Sequence, residues 1–350
     1  MTEQKKTFKG DFMNERRAGA PSAFRQVMFH LRVLRAGWGL TLFALVFSGC
    51  VLVESLFVEH YRQRHSMQSW FLAPTDILNP LIAFIAVVIA TVVPSFFEQR
   101  QASAYGLRGS PWRLLGIGVG TGGALVAVTE VALRFRHILV PVATRTSISG
   151  TLRNVFIWVG IFVMFALMEE LLTRGYLQYT LTRGLAFLYR RFLGLPTGVA
   201  AGFWTAAVLT SLLFTALYRG NPGQTDMGLA CIFAMGLVYC WSLWRTGSLW
   251  WALGFHMAWD FTQGFVFMQW DGGLAIRDHV FAWVAADPLL LSGGRAGLNG
   301  SVLAYLLLVI AFASLLLVKK ARVYPELWAA AEDESRFHAV PDSLPDPGRA

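Results

Sequence analysis

Apolar stretches long enough to span a membrane as a helix recur along this chain. Such stretches lie near 38–58, 77–97, 112–133, 152–173, 199–218, 228–245, 248–268 and 301–318. Each, as a helix of about 20 residues, crosses roughly 30 Å of hydrocarbon. The expected architecture is an all-α, polytopic transmembrane helical bundle of about eight spans. The sixth and seventh stretches meet at Arg245-Thr246-Gly247. One helix of roughly 40 residues would far overshoot a bilayer, so a tight hairpin is expected there. Composition agrees: 55% of residues are hydrophobic and 15% charged, against about 45–50% and about 25% in an ordinary soluble protein. That leaves too little polar surface for a soluble enzyme and too much apolar content for disorder.

The formal charge of +9, from 30 Lys and Arg against 21 Asp and Glu, first suggests a nucleic-acid partner. The positions argue otherwise. With the N-terminus inside, the inner segments hold 20 of the 30 basic residues and the outer segments 9, the thirtieth being Arg174 within a span. This asymmetry follows the positive-inside rule and predicts a multi-pass cell-membrane protein with both termini cytoplasmic. The loop at 134–153, with Arg134, Arg136, Arg145 and Arg153, runs against the rule and reads as an interfacial segment. The charge is thus assigned to orientation and to attraction by anionic lipid, with the bilayer as partner and no nucleic acid.

The expected order is a basic cytoplasmic arm (1–37), two membrane helices (38–104), a membrane core (105–268), an extracytoplasmic loop (269–300), a last helix (301–320) and a polar cytoplasmic tail (321–350). Cys50, Cys231 and Cys240 sit in apolar runs without paired ligand spacing, so neither a disulfide framework nor a zinc finger is expected. Gly116 to Gly123 outline a glycine-rich loop but lack a preceding strand. The Gly116/Gly120 and Gly118/Gly122 spacings suit close helix packing instead.

Charged groups inside a span are expensive and need a partner or a task. Glu170 and Arg174 stand at i and i+4 with the acid first, the favourable order for an intrahelical pair. Glu169 points about 100° away and has no local counter-charge. A carboxylate so placed suits general acid–base work, or simply salt-bridges another helix. His256 and Asp260, again i and i+4, share one face of the seventh stretch. They can stabilise an oxyanion, supply metal ligands, or join two helices. Tyr218 closes the fifth stretch at its outer end, opposite to Glu169 with these boundaries. Glu54, Glu59 and Glu130, near span ends, can snorkel or pair with neighbouring Arg and receive no role.

The motifs Glu169-Glu170-Leu171-Leu172-Thr173-Arg174, Phe214-Thr215-Ala216-Leu217-Tyr218 and His256-Met257-Ala258-Trp259-Asp260 resemble those of the CPBP family. These are the CAAX-protease and bacteriocin-processing intramembrane proteins, related to the type II CAAX prenyl endopeptidases. Flanking segments also look similar: Tyr105-Gly106-Leu107-Arg108, Arg174-Gly175-Tyr176-Leu177 and Gly247-Ser248-Leu249-Trp250. The resemblance covers about 105–268 and implies an endopeptidase acting on a membrane-associated peptide or protein substrate. Carried over, Glu169 activates water, Glu170 and Arg174 fix the helix end, and His256 with Asp260 binds the oxyanion. The family has His where this chain has Tyr218, which leaves a catalytically impaired, peptide-binding member as the alternative. The resemblance implies either no cofactor or a divalent metal, zinc included, with Glu169, His256 and Asp260 as candidate ligands. A single His among them is a poor match to a zinc site.

Overall fold

The computed structural model describes residues 29–30, 33–34, 36–65, 71–72, 78–98, 102–142, 148–195, 197–221, 223–269, 275–276, 279–286 and 289–320. Nearly all of the basic arm, Arg145 and the tail from 321 lie outside the described residues. The helices are α1 (Ala36–His65), α2 (Leu78–Phe97), α3 (Pro111–Phe135), α4 (Ile148–Glu170), α5 (Gln178–Leu193), α6 (Gly198–Tyr218), α7 (Asp226–Thr246), α8 (Trp250–Asp260) and α9 (Val302–Ser314). A short antiparallel ladder pairs Leu139–Pro141 with Trp283–Ala285, and a parallel one pairs Phe71–Leu72 with Ala275–Ile276.

Among the described residues, six segments are long and apolar enough to cross a membrane: Ala36–Val53, Pro111–Phe135, Gly150–Leu193, Gly198–Tyr218, Asp226–Thr246 and Gly294–Leu317. Leu81–Phe97 is a shorter apolar helix. The expected eight therefore become six and a shorter one. The stretch at 248–268 folds as α8, only 11 residues long, continued by a π-helical turn over Phe261–Val266. The break before it falls where the Gly247 signal puts it, with that residue left-handed at φ 66°.

Side-chain burial is inverted relative to a soluble protein. Leu52, Leu56, Phe96, Phe156, Val309 and Leu317 face outward, while Glu98, Glu170, Arg174, Arg183, His256 and Asp260 are buried. In water such exposed apolar surface would be costly; against lipid it is the ordinary outer shell, and charged groups turn inward to find partners. Glu130, read as able to snorkel or pair, is instead 1% exposed. Its Oε2 has no hydrogen-bond partner among the described residues. The side chains of Glu54 and Glu59 lie outside the described residues.

Two close helix contacts set the frame. A Cβ on Gly118 would collide with the backbone of Trp251 and Phe255, one on Gly122 would lie 2.6 Å from the Phe255 carbonyl oxygen, and one on Gly254 would strike Leu115 and Val119. The α3 and α8 backbones thus touch through the absence of side chains. Gly116 and Gly120 meet nothing within 4 Å, so only one of the two glycine pairs serves this packing. The second contact joins α5 to α6. A Cβ on Gly202 would lie 2.7 Å from Ala186 N and 3.0 Å from Thr182 O.

That hairpin corrects the sequence reading. The fourth stretch does not end at 173, with Arg183, Arg190 and Arg191 in an inner loop. The chain stays helical from Ile148 through a π-helical segment, Leu171–Leu177, to Leu193. It turns at left-handed Gly194 (φ 60°) and returns along α6. Arg174 and Arg183 imitate a span end in sequence, but both are buried and paired: Arg174 with Glu170 at 3.0 Å and Arg183 with Glu98 at 3.5 Å. Since α6 retraces α5, its last residue comes back to the level of Glu169 rather than to the opposite side.

Candidate active site

Each charged motif sits immediately before a π-helical segment: Glu169-Glu170 before Leu171–Leu177, and Asp260 before Phe261–Val266. Such widened turns recur at functional sites. The segments Tyr105–Arg108 and Gly247–Trp250 meet each other, with Leu249 N donating to Gly106 O at 2.9 Å. This contact holds the start of α8, and so the depth of His256.

The motif residues converge. Tyr218 donates its hydroxyl toward both Glu169 oxygens, 3.1 Å from Oε1 and 2.9 Å from Oε2. His256 Nε2 lies 3.4 Å from Glu169 Oε2 and 3.3 Å from Asp260 Oδ2. On the other side of the ring, Nδ1 is 3.1 Å from Glu170 Oε1, which also accepts from Arg174 Nη1 at 3.0 Å. An unbroken polar chain therefore runs Arg174, Glu170, His256, Asp260, with Glu169 joined at the imidazole and Tyr218 joined through Glu169. With a proton on each nitrogen, the ring donates on both sides.

Exposure divides these residues into two sets. Glu170 and Arg174 are fully sealed and His256 is 2% exposed, whereas Glu169 and Asp260 each keep 13% of their side-chain surface accessible. With half-buried Tyr218, they form the face that a bound molecule can touch. The sealed residues form its support.

Sequence reasoning missed part of that support. The Arg174 guanidinium lies 4.2 Å from the centroid of Phe214 and 5.2 Å from that of Tyr239, both within cation–π range. Tyr239 also stacks on His256, with centroids 5.3 Å apart. An aromatic residue in an apolar span carries no sequence mark of such a role. Gly236 makes room for the arrangement: a Cβ there would lie 2.7 Å from both Arg174 Nη2 and Ser211 Oγ. A second buried polar cluster lies beyond the π-helical turn. Glu98 accepts from Tyr176 at 3.1 Å and from Tyr105 at 3.5 Å, besides pairing with Arg183.

Among the described residues, no three His, Cys, Asp or Glu side chains are grouped so as to hold a metal ion. Glu169, His256 and Asp260 are committed to one another, and Tyr218 faces both Glu169 oxygens in place of a second imidazole. The set offers one imidazole and two carboxylates, where catalytic zinc sites of three protein ligands use combinations such as three His, two His with a Glu, or two Cys with a His.

Residues 151–262 match a family model described as type II CAAX prenyl endopeptidase Rce1-like. The matched segment contains Glu169, Glu170, Arg174, Tyr218, His256 and Asp260. No curated protein and no solved structure matches the chain.

Proposed function

From a chain whose residues 151–262 form an Rce1-like type II CAAX prenyl endopeptidase domain, we propose an intramembrane endopeptidase that hydrolyses peptide bonds of membrane-associated or prenyl-like substrates, with Glu169 as general base. The observation that carries this reading is the meeting of Glu169, Tyr218 and His256 from three separate helices at one partly accessible point. A water seated at Glu169 gives up a proton to the carboxylate as its oxygen attacks the scissile carbonyl carbon. The oxygen of that carbonyl gains charge and is stabilised by hydrogen bonds from His256 Nε2–H and the Tyr218 hydroxyl, which turn to it from Asp260 and Glu169. When the tetrahedral species collapses, Glu169 returns the proton to the departing amine, so atoms and charge balance. Asp260, 3.3 Å from Nε2 in the resting site, supplies the negative charge that favours a protonated ring on the accessible side. Glu170, itself held by Arg174, holds it from the sealed side.

One observation favours a second reading, a family member that binds membrane peptides without cleaving them. The phenol of Tyr218 engages both Glu169 oxygens, so a water must compete for the base. Proteoliposomes carrying wild type or Tyr218→His, supplied with a library of membrane-anchored peptides, separate the two. Cleavage by wild type supports the peptidase. Peptide retention without cleavage by wild type, with cleavage gained in Tyr218→His, supports the binding protein.

A further inference from the structure

We propose that a basic cavity at one end of the bundle, apart from the residues around Glu169, binds the phosphate headgroup of an anionic membrane lipid. The cavity is an open depression of about 700 Å³, within the size range of small-ligand sites. Three elements bound it: the start of α3 with Ser110 and Arg113, the end of α7 with Thr246, and Lys319 with Lys320 after α9. Its lining, among the described residues, has three cations and no carboxylate. Among the described residues, none of the salt bridges uses Arg113, Lys319 or Lys320.

The chain holds these charges together by a specific contact. Arg245, in the last turn of α7, donates from Nε to Val318 O at 3.1 Å and from Nη2 to Leu316 O. It thereby occupies carbonyls at the C-terminal end of the last apolar segment and fixes the chain that carries Lys319 and Lys320. Across the cavity, α3 begins at Pro111 after Ser110, whose side chain makes no capping bond. The first-turn N–H groups thus add the positive end of the helix dipole to the three side-chain charges.

Position selects a lipid headgroup over free phosphate. The segments Pro111–Phe135 and Gly294–Leu317 are both apolar enough to cross a membrane, and the cavity lies where they end. Trp112 is 77% exposed and Leu317 90% exposed, each adjacent in sequence to the cavity lining. They present aromatic and aliphatic surface to acyl chains just beneath the charged site, as interfacial anchors do. An anionic phospholipid satisfies both halves at once; inorganic phosphate satisfies only one.

The test uses the full chain in nanodiscs of phosphatidylcholine with or without phosphatidylglycerol, and reads retained lipid by native mass spectrometry after release into detergent. Each basic residue near an anionic membrane surface contributes about 1 kcal/mol, so the triple variant Arg113→Gln/Lys319→Gln/Lys320→Gln should retain phosphatidylglycerol on the order of 100-fold more weakly than wild type. Phosphatidylcholine retention should not change. The charge-preserving variant Arg113→Lys/Lys319→Arg/Lys320→Arg should behave as wild type. Raising salt from about 0.05 to about 0.5 M should weaken retention by wild type, a readout that stands even if the triple variant does not fold. Equal retention of the two lipids by wild type, unchanged retention in the folded triple variant, salt-independent retention, or displacement of the lipid by equimolar inorganic phosphate would each overturn the proposal.

Discussion

The hydroxyl of Tyr218 lies 2.9 Å and 3.1 Å from the two carboxylate oxygens of Glu169, a residue 49 positions earlier in the chain. The α5–α6 hairpin makes the contact, since it carries α6 back past the π-helical turn to the motif it left. Removing this hydrogen bond while keeping the ring tests its part in catalysis. Tyr218→Phe should lower kcat by about 10- to 100-fold, the equivalent of one hydrogen bond to a charged group, with KM little changed. Steady-state kinetics on a membrane-anchored peptide decides it. An unchanged kcat would remove Tyr218 from the mechanism.

Arg174 anchors the sealed side of the site through Glu170 and lies against Phe214 and Tyr239. Arg174→Gln leaves Glu170 buried without its cation and should cost about 3–5 kcal/mol of stability. Arg174→Lys should recover only part of this, because a point charge replaces a flat guanidinium stacked on two rings. Thermal melting in detergent reads both variants. A lysine variant that melts with wild type would show that charge alone matters here.

The glycine contact between α3 and α8 gives a paired prediction. Gly254→Ala places a Cβ against the backbone of Leu115 and Val119. It should destabilise the fold by about 1–3 kcal/mol as overpacking does, and should lower activity by shifting His256, two residues on. Gly116→Ala and Gly120→Ala enter open space inside α3 and should leave stability unchanged or raise it by up to about 1 kcal/mol. Equal effects at all three positions would contradict the packing account.

Glu98 ties α2 to Tyr105, Tyr176 and Arg183, across the π-helical turn from Glu169. In a double-mutant cycle, Glu98→Gln and Arg183→Gln should be non-additive by about 0.5–3 kcal/mol, as for residues in one buried network. Melting of the two single variants and the double variant measures the coupling. Simple additivity would mean that the 3.5 Å contact carries no energy.

Local spacing made the Glu170–Arg174 and His256–Asp260 pairs legible, because i and i+4 positions meet on any helix. The break at Gly247 and the packing of Gly118 with Gly122 were legible for similarly local reasons. What sequence could not show was pairing between distant elements. Arg183 reads as a loop residue until Glu98, 85 positions away, is seen beside it. That misreading ended the fourth span too early and set Tyr218 on the wrong side. Tyr239 escaped notice because its stacking on His256 depends on how α7 lies across α8, which apolar periodicity does not encode.

In the proposed mechanism Glu169 takes the proton of the attacking water. Peptide hydrolysis in proteoliposomes prepared in H2¹⁸O, with wild type and Glu169→Gln compared at equal folded protein, tests it most directly. The new carboxyl group should carry one ¹⁸O with wild type, and the rate should be at least about 10²-fold lower in the variant, the lower end of a general base's contribution. Cleavage by Glu169→Gln at the wild-type rate would contradict it.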